Sequence, residues 1–368
     1  MELLDHDIEE LAEAGLFRNM QADTSLNYQL NRLTMAELTE IRQHLGVKGI
    51  SKLSKQKQVE ALAQAIIEKL PVQLQLFDEL TYDDLQALIK KKGLLKNCAD
   101  IPIPILSMLR KMGLAFAGIL ENEGLVLVMP RELLQPCRQL LADAALRETI
   151  IYNQKVLLVC RGLVAYYGVI PVDELRQMLE TMDLATTEPQ FSTMLKTIGV
   201  SNGYLDYLND CICDKRVIYV DEVLASHLAI QEHGYYPVNL EKALLAAQQI
   251  YIDWADAHRE LFEYLVDEQA MDEEAAAEEL MFLIFALNNR VPIPSLLQRL
   301  DERQVKLPDF AETIEFLTLL DEAYQQTRLW GYRGFTPTEM RELESRPRLR
   351  VLPPLASRSV KNGGSSSS

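Results

Sequence analysis

The spacing of hydrophobic positions predicts helices along most of the chain, with a few short strands between them. Leu85, Leu88 and Ile89 share one face of a predicted helix, and the same spacing of three and four residues continues through the C-terminal part of the chain. Two short apolar runs at residues 114–119 and 125–129 flank a turn that contains a glycine, which is typical of a β-hairpin. The pattern therefore predicts a mainly α-helical fold with short β-hairpins.

Changes in this pattern divide the 368 residues into six segments. We predict an acidic helix with a connector at residues 1–25 and a small helix–extension–helix domain at residues 26–70. Two winged-helix-like units follow in tandem at residues 78–145 and 149–233. A helical bundle at residues 235–343 and a disordered tail at residues 344–368 complete the chain. The two central units have helices followed by strand-like runs, and the tail is too rich in Pro, Arg, Gly and Ser to build a core. Within the segments, residues 71–76 are predicted as a link, 217–220 as a strand and 240–265 as one long helix.

Composition and charge limit the classes of partner. The chain is 48% hydrophobic and 25% charged, as in globular proteins with buried cores, and its net charge is −17. An acidic chain as a whole repels nucleic acid and anionic membrane surfaces, so nucleic-acid binding requires a local basic patch. No apolar run approaches the roughly 20 residues of a membrane span, so we expect no membrane partner.

The cysteines and the N-terminal residues favour a cytoplasmic location. The five cysteines are odd in number and lie in apolar or amphipathic stretches, which does not fit a secreted disulfide framework. The first residues, Met-Glu-Leu-Leu-Asp-His-Asp, are acidic and lack the basic and apolar regions of a signal peptide. We therefore expect a protein of a reducing compartment.

The segment from Thr34 to Ile66 has the most specific pattern in the chain. Thr34 and Glu37 have the spacing of a capping box for a first helix, and Ser54 is placed to cap a second one. The segment resembles the N-terminal domain of the transcription terminator Rho and the related SAP-like helix–extension–helix modules. The resemblance covers about a tenth of the chain and rests on three motifs: Leu-Thr-x-x-Glu-Leu, Leu-Gly-Val-Lys-Gly-Ile and Lys-Leu-Ser-Lys-Gln.

Many members of that family bind nucleic acid, and the resemblance implies a similar site in residues 26–70. This stretch contains seven Lys/Arg and four Glu, a local charge of 7 − 4 = +3. The candidate nucleic-acid-binding residues are Arg42, Lys48, Lys52, Lys55 and Lys57. Lysines beside the N–H groups of a helix start can bind phosphates. The alternative interpretation is a solvated loop with ordinary lysines.

Two further charged regions indicate which partners the chain could bind. In the first winged-helix-like unit, Arg110, Lys111 and the lysines at 90–92 offer only thin support for DNA binding, so a structural or protein-binding role is favoured there. The stretch from Asp253 to Glu279 has eleven acidic residues against one arginine, a charge of 1 − 11 = −10. This stretch is either a solvated helix surface or a docking face for a basic protein partner.

The segment around Trp330 resembles the region that precedes the SEC-C metal-binding motif in a group of bacterial proteins. Those proteins continue into a basic linker and a cysteine-rich zinc knuckle. Residues 341–361 are likewise basic, with six Lys/Arg and two Glu, but no cysteine follows Cys213. The resemblance therefore implies no zinc site in this sequence.

No catalytic residue, metal ligand or cofactor is predicted. Cys211 and Cys213 are too close together for a zinc knuckle, and His227, His233 and His258 do not have metal-ligand spacing. The sequence lacks Gly-x-x-x-x-Gly-Lys-Ser/Thr, Gly-x-Gly-x-x-Gly and Gly-x-Ser-x-Gly. We expect a non-enzymatic protein that binds DNA or RNA weakly, with a link to transcription implied by the resemblance to Rho. The alternative is a protein-interaction adaptor or scaffold with an acidic docking face.

Overall fold

A computed structural model describes residues 15–121, 123–248, 252–303 and 305–345. Within these ranges the fold is mainly helical, as predicted, with sixteen helices and two small sheets. The acidic helix predicted at Asp5–Gly15 lies outside these ranges except for Gly15, its last residue. The tail predicted to be disordered also lies outside them beyond Ser345, the last residue described.

The first part of the described chain contains six helices and a four-stranded sheet: β1 (Asn19–Met20), α1 (Leu26–Arg32), α2 (Met35–His44), α3 (Lys55–Leu74), α4 (Glu79–Lys90), β2 (Leu94–Lys96), α5 (Ile103–Lys111), β3 (Phe116–Leu120), β4 (Gly124–Val128) and α6 (Arg131–Leu141). The strand order is β1-β3-β4-β2. Strands β3 and β4 are antiparallel, with Phe116 opposite Val128, which confirms the predicted hairpin. The predicted link at residues 71–76 is wrong for its first part. Helix α3 continues through Pro71 because Leu70 and Leu74 extend its buried side.

The middle of the chain forms a second, three-stranded antiparallel sheet with helices around it: α7 (Ala144–Tyr167), β5 (Val169–Pro171), α8 (Val172–Thr181), α9 (Gln190–Met194), β6 (Leu205–Leu208), β7 (Cys211–Asp214) and α10 (Val220–Ala229). The strand predicted at 217–220 is wrong. The chain reverses earlier, at Asn209 and Asp210, whose positive φ values of 50° and 56° suit a two-residue hairpin turn.

The C-terminal part contains six helices among its described residues: α11 (Leu240–Gln248), α12 (Asp256–Asp267), α13 (Glu273–Asn288), α14 (Ile293–Glu302), α15 (Phe310–Gln326) and α16 (Pro337–Ser345). The single helix predicted at 240–265 is wrong, because α11 and α12 are separate helices. Asp253 between them has a φ of 52°, which an α-helix does not allow.

Two main hydrophobic cores hold these elements. One contains buried residues drawn from the chain between Leu16 and Ile252, including many from α7. Helix α11 packs so closely on α7 that a Cβ at Gly162 would lie 1.8 Å from the carbonyl oxygen of Ala243, and only glycine fits there. The second core lies among α12, α13, α14 and α15 and includes Leu261 and Phe316.

Candidate functional site

The N-terminal module (residues 34–66) consists of α2, most of α3 and the connector between them. The Glu37 N–H donates to Thr34 Oγ1 at 3.3 Å, and the Thr34 N–H donates to Glu37 Oε2 at 2.6 Å, which confirms the predicted capping box. Ser54 is the N-cap residue of α3, but its side chain makes no capping hydrogen bond. The first N–H groups of this 20-residue helix, which have no intrahelical partner, therefore also lack a side-chain acceptor at the positive end of the helix.

Of the five predicted binding residues, only some have side chains that are free to contact a phosphate. The side chains of Lys48, Lys52 and Lys57 are exposed, and within the described ranges they have no hydrogen bond or ion pair. The Lys55 ammonium donates to the Asn31 carbonyl at 2.7 Å, next to the end of α1. Arg42 is half-buried, and its guanidinium lies 3.5 Å from the Val47 carbonyl. Three lysines therefore remain available, while Lys55 ties the module to α1 and Arg42 lies against the connector of the module.

A further lysine that the sequence assigned to another unit lies beside the module. Lys111, the exposed last residue of α5, is close enough to His44 to affect its charge. Burial, and then the Lys111 ammonium, hold the pKa of the His44 imidazole below its usual value. Lys69 donates to the Leu45 carbonyl beyond the end of α2. Sequence spacing could not identify Lys111, because the contact joins residues far apart in the chain.

A partly buried cluster of charges ties the module to α5 and to the residue that precedes β1. Glu37 accepts hydrogen bonds from Arg18 at 2.9 and 3.0 Å and from Arg110 at 2.7 Å. Burial by itself raises the pKa of the Glu37 carboxyl, but the bonds from Arg18 and Thr34 outweigh burial and leave that pKa below its usual value. Arg110 is only 14% exposed. Its charge therefore balances Glu37 and is not presented to solvent.

The acidic stretch from Asp253 to Glu279 is not one continuous face. Glu279 points inward and binds Arg303 at 2.6 Å, and burial raises the pKa of its carboxyl. At the other end of the stretch, Asp253, Asp256 and Glu260 line an open groove of about 740 Å³. We call this the acidic groove; its lining residues are Asp253, Ala255, Asp256, Ala257, Glu260, Glu322, Gln325, Gln326, Arg328, Thr336 and Thr338.

The Trp330 segment (residues 327–340) fastens the second core to the middle of the chain. Trp330 is 1% exposed, and its indole N–H donates to the Ala165 carbonyl at 3.1 Å. Its backbone N–H donates to Asn288 Oδ1 at 2.8 Å, and its carbonyl lies 2.7 Å from His227 Nε2. Because a carbonyl only accepts, Nε2 of His227 carries the proton. The sequence predicted a tight aromatic turn here, but not these contacts with α7, α10 and α13.

A second buried histidine holds the start of the same segment. The Ala255 N–H donates to His258 Nδ1 at 3.1 Å, so the proton of the neutral ring lies on Nε2, which donates to Thr327 Oγ1 at 3.0 Å. The Thr327 hydroxyl in turn donates to the Ala323 carbonyl at 2.8 Å. Burial lowers the pKa of both His227 and His258 to about 4. Both rings are therefore neutral at physiological pH and act as fixed hydrogen-bonding groups.

The described residues contain no cluster of three or more His, Cys, Asp or Glu side chains arranged to bind a metal ion. All five cysteines are buried and free. Burial raises the pKa of Cys98 to about 11 and that of Cys137, Cys160 and Cys213 to about 12. These thiols are therefore protonated and shielded from solvent, unlike reactive thiolates.

Comparison of the chain with family models, curated proteins and solved structures gives no match. Among the described residues no helix combines the length and the apolar character that crossing a membrane requires.

Proposed function

We propose that this protein is non-enzymatic and binds DNA or RNA weakly through the N-terminal module. In this proposal the phosphates contact Lys48, Lys52 and Lys57 and the N-terminal turn of α3. Residues 78–145 and 149–233 act as winged-helix-like units that support the module, and the helical bundle supplies a surface for partners.

The observation that carries the proposal is the group of three exposed lysines around an uncapped helix start. Lys52 and Lys57 flank Ser54, whose hydroxyl leaves the first N–H groups of α3 without a side-chain acceptor. N–H groups and ammonium groups at a helix N-terminus together favour a phosphate. The proposal agrees with the resemblance to the Rho N-terminal domain, which places binding at the same edge.

The proposed site is small, which sets the expected strength of binding. Lys48, Lys52, Lys57 and the neighbouring Lys111 can neutralise about four phosphates if all of them engage. Counterion release then gives a slope of log K against log salt of about −3 for single strands and about −3.5 for duplexes. The net charge of −17 opposes binding elsewhere on the chain, so measurable affinity is expected only at low salt.

Fluorescence anisotropy with labelled single-stranded DNA, duplex DNA and single-stranded RNA tests this proposal. The purified chain is titrated at several salt concentrations, and the double variant Lys52→Glu, Lys57→Glu is titrated in parallel. We expect the variant to lose at least about tenfold in affinity at low salt, with a salt slope about two units shallower.

A matched control is the double variant Lys90→Glu, Lys91→Glu, which makes the same change in net charge on exposed lysines of another unit. We expect this control to keep most of the affinity. Equal losses in the two variants would mean that only total charge matters, and absence of binding at low salt would refute the proposal.

A second candidate function is an adaptor with an acidic docking face. The observation that favours it is the acidic groove, where Glu260 and Glu322 have no ion pair or hydrogen bond with any described residue. Such carboxylates suit the Lys or Arg side chains of a protein partner. Binding of an unrelated arginine-rich peptide should be lost in Glu260→Lys, Glu322→Lys. Unchanged binding would exclude the groove as the docking face.

A further inference from the structure

A small pocket lies where residues 78–145 meet residues 149–233. Its walls come from Leu80 in the first turn of α4, from α7 and from residues 199–205. The volume of the pocket is about 50 Å³, which is room for about four water-sized atoms. The pocket therefore accepts a group of the size of a carboxylate, with the rest of the ligand at its mouth.

The cation in this pocket is unpaired. The guanidinium of Arg161 lies over the ring of Tyr204, with Cζ 3.2 Å from the ring centroid, and it has no ion pair or hydrogen bond with any described residue. By contrast, Arg147 lies over the ring of Tyr82 and is also paired with Glu79 at 2.8 Å. Stacking holds the Arg161 guanidinium without using its N–H groups, so they remain available to an anion.

A hydrogen-bond acceptor in the same pocket is also unused. Asn202 Nδ2 donates to Asp78 Oδ2 at 2.6 Å. Because an ionised carboxylate only accepts, this bond fixes which end of the Asn202 amide faces Asp78. The other end, Oδ1, is buried and accepts no hydrogen bond within the described ranges. A buried amide oxygen without a donor is costly, so it favours a ligand that carries an N–H group.

The carboxylates beside the pocket are already engaged. Asp78 is fully buried, and its Oδ1 accepts from the Thr81 N–H at 2.9 Å and from Thr81 Oγ1 at 2.6 Å. Glu79 is neutralised by Arg147. The rest of the lining is mainly apolar, and Leu80 at 56% exposure offers surface at the mouth. The pocket thus combines a free cation, a free acceptor and an apolar contact.

We propose that this pocket binds the free C-terminus of a partner protein whose last residue is apolar. The terminal carboxylate accepts hydrogen bonds from Arg161, the N–H of the last residue donates to Asn202 Oδ1, and the last side chain packs on Leu80. A C-terminus fits this set because its carboxylate, N–H and side chain branch from one carbon atom. An Asp or Glu side chain has no apolar group beside its carboxylate. The inference does not depend on nucleic-acid binding by the N-terminal module.

Fluorescence anisotropy with labelled peptides tests the proposal. The full chain, at up to about 1 mM, is titrated into the peptide Gly-Ser-Gly-Ser-Leu, once with a free C-terminal carboxylate and once amidated. We expect the free acid to bind at least about tenfold more tightly, which is the strength of one hydrogen bond to a charged group. The free acid that ends in Gly instead of Leu should bind about fivefold more weakly, because it has no side chain to pack on Leu80.

Variants of the pocket assign the contact. Arg161→Gln should remove the difference between the acid and the amide, and Arg161→Lys should restore part of it. The matched control is Lys196→Gln, which removes another cation that lies over a tyrosine ring, that of Tyr207 at 4.5 Å, outside the pocket. This control should keep the full difference. Because the two peptides are compared within each variant, a general loss of stability does not imitate the expected result.

Absence of binding of the free acid at about 1 mM protein overturns the proposal, as does equal binding of the acid and the amide. A difference that survives in Arg161→Gln also overturns it, because the carboxylate then binds elsewhere. Isovalerate, which lacks the N–H group, should compete at least about tenfold less well than N-acetylleucine. Equal competition would mean a site for small acids and would overturn the proposal. Loss of oligonucleotide binding in the module variants leaves these results unaffected, so the two proposals fail separately.

Discussion

The two buried histidines should make the fold sensitive to mild acid. Burial lowers the pKa of His227 and His258 from 6.5 to about 4, so the folded protein binds their protons less readily than the unfolded chain does. Between pH 4 and 6.5 the unfolded state binds more protons, so the free energy of unfolding falls as the pH falls through this window. Each histidine should lower the free energy of unfolding by about 2 kcal/mol at pH 5 and by about 3 kcal/mol once the pH is below 4.

The structure gives the physical cause of this loss. Protonation of His258 removes the acceptor of the Ala255 N–H, because Nδ1 then carries a proton itself. Protonation of His227 places a charge in a buried site, where Arg333 repels it and Glu174 only partly compensates. In both rings Nε2 keeps its proton and its hydrogen bond to the Trp330 segment, so the loss of stability comes from the buried charge and, for His258, from the lost acceptor of the Ala255 N–H.

Urea unfolding at pH 7.5 and pH 5, followed by circular dichroism, measures the effect. Acidic side chains contribute to the pH dependence of the wild type, so the informative quantity is the change between the two pH values in His258→Gln or His227→Gln. Each variant loses hydrogen bonds and is less stable at pH 7.5, but its pH dependence should be about 2 kcal/mol smaller than that of the wild type. Wild-type pH dependence in both His258→Gln and His227→Gln would refute the reasoning.

Three further predictions concern packing and thiol chemistry. In thermal unfolding, Gly162→Ala should lower the free energy of unfolding by at least about 2 kcal/mol, because the added Cβ meets the Ala243 carbonyl. The control Lys155→Ala, on the exposed side of the same helix, should change the free energy of unfolding by less than about 0.5 kcal/mol. In urea unfolding, Glu37→Gln should lower the free energy of unfolding by about 3 kcal/mol, because it leaves Arg18 and Arg110 without a counter-charge. Glu40→Gln, on the exposed side of α2, is the control, and an equal loss of stability in the two variants would contradict this account. A thiol reagent should modify none of the five cysteines in the native protein and all of them in urea. Rapid labelling of the native protein would contradict the burial of the cysteines.

Much of the secondary structure could be predicted because its determinants are local. The capping box of Thr34 and Glu37 needs only two residues three positions apart, and the β3–β4 hairpin needs two apolar runs and a glycine-containing turn. The errors arose where tertiary packing competed with local signals. Helix α3 continues through Pro71 because Leu70 and Leu74 are buried beyond it.

The candidate site was only partly predictable for the same reason. The sequence identified a basic edge in the N-terminal module, but it could not separate lysines that face solvent from those that bind backbone carbonyls. The structure assigns Lys55 to the Asn31 carbonyl and brings Lys111 to the module from another unit. Such assignments depend on which helices pack together, and no pattern within one helix contains that information.

The sequence by itself determined the helical character of the chain, its acidic charge and the local capping and turn motifs, because periodicity and hydrogen bonding between near neighbours specify them. Only the tertiary structure decided the long-range partners. It placed Glu37 between Arg18 and Arg110, buried Trp330 against α7 and separated the exposed carboxylates of the acidic groove from the buried Glu279. These choices follow from desolvation and close packing, which depend on residues distant in the chain and become defined only when the cores assemble.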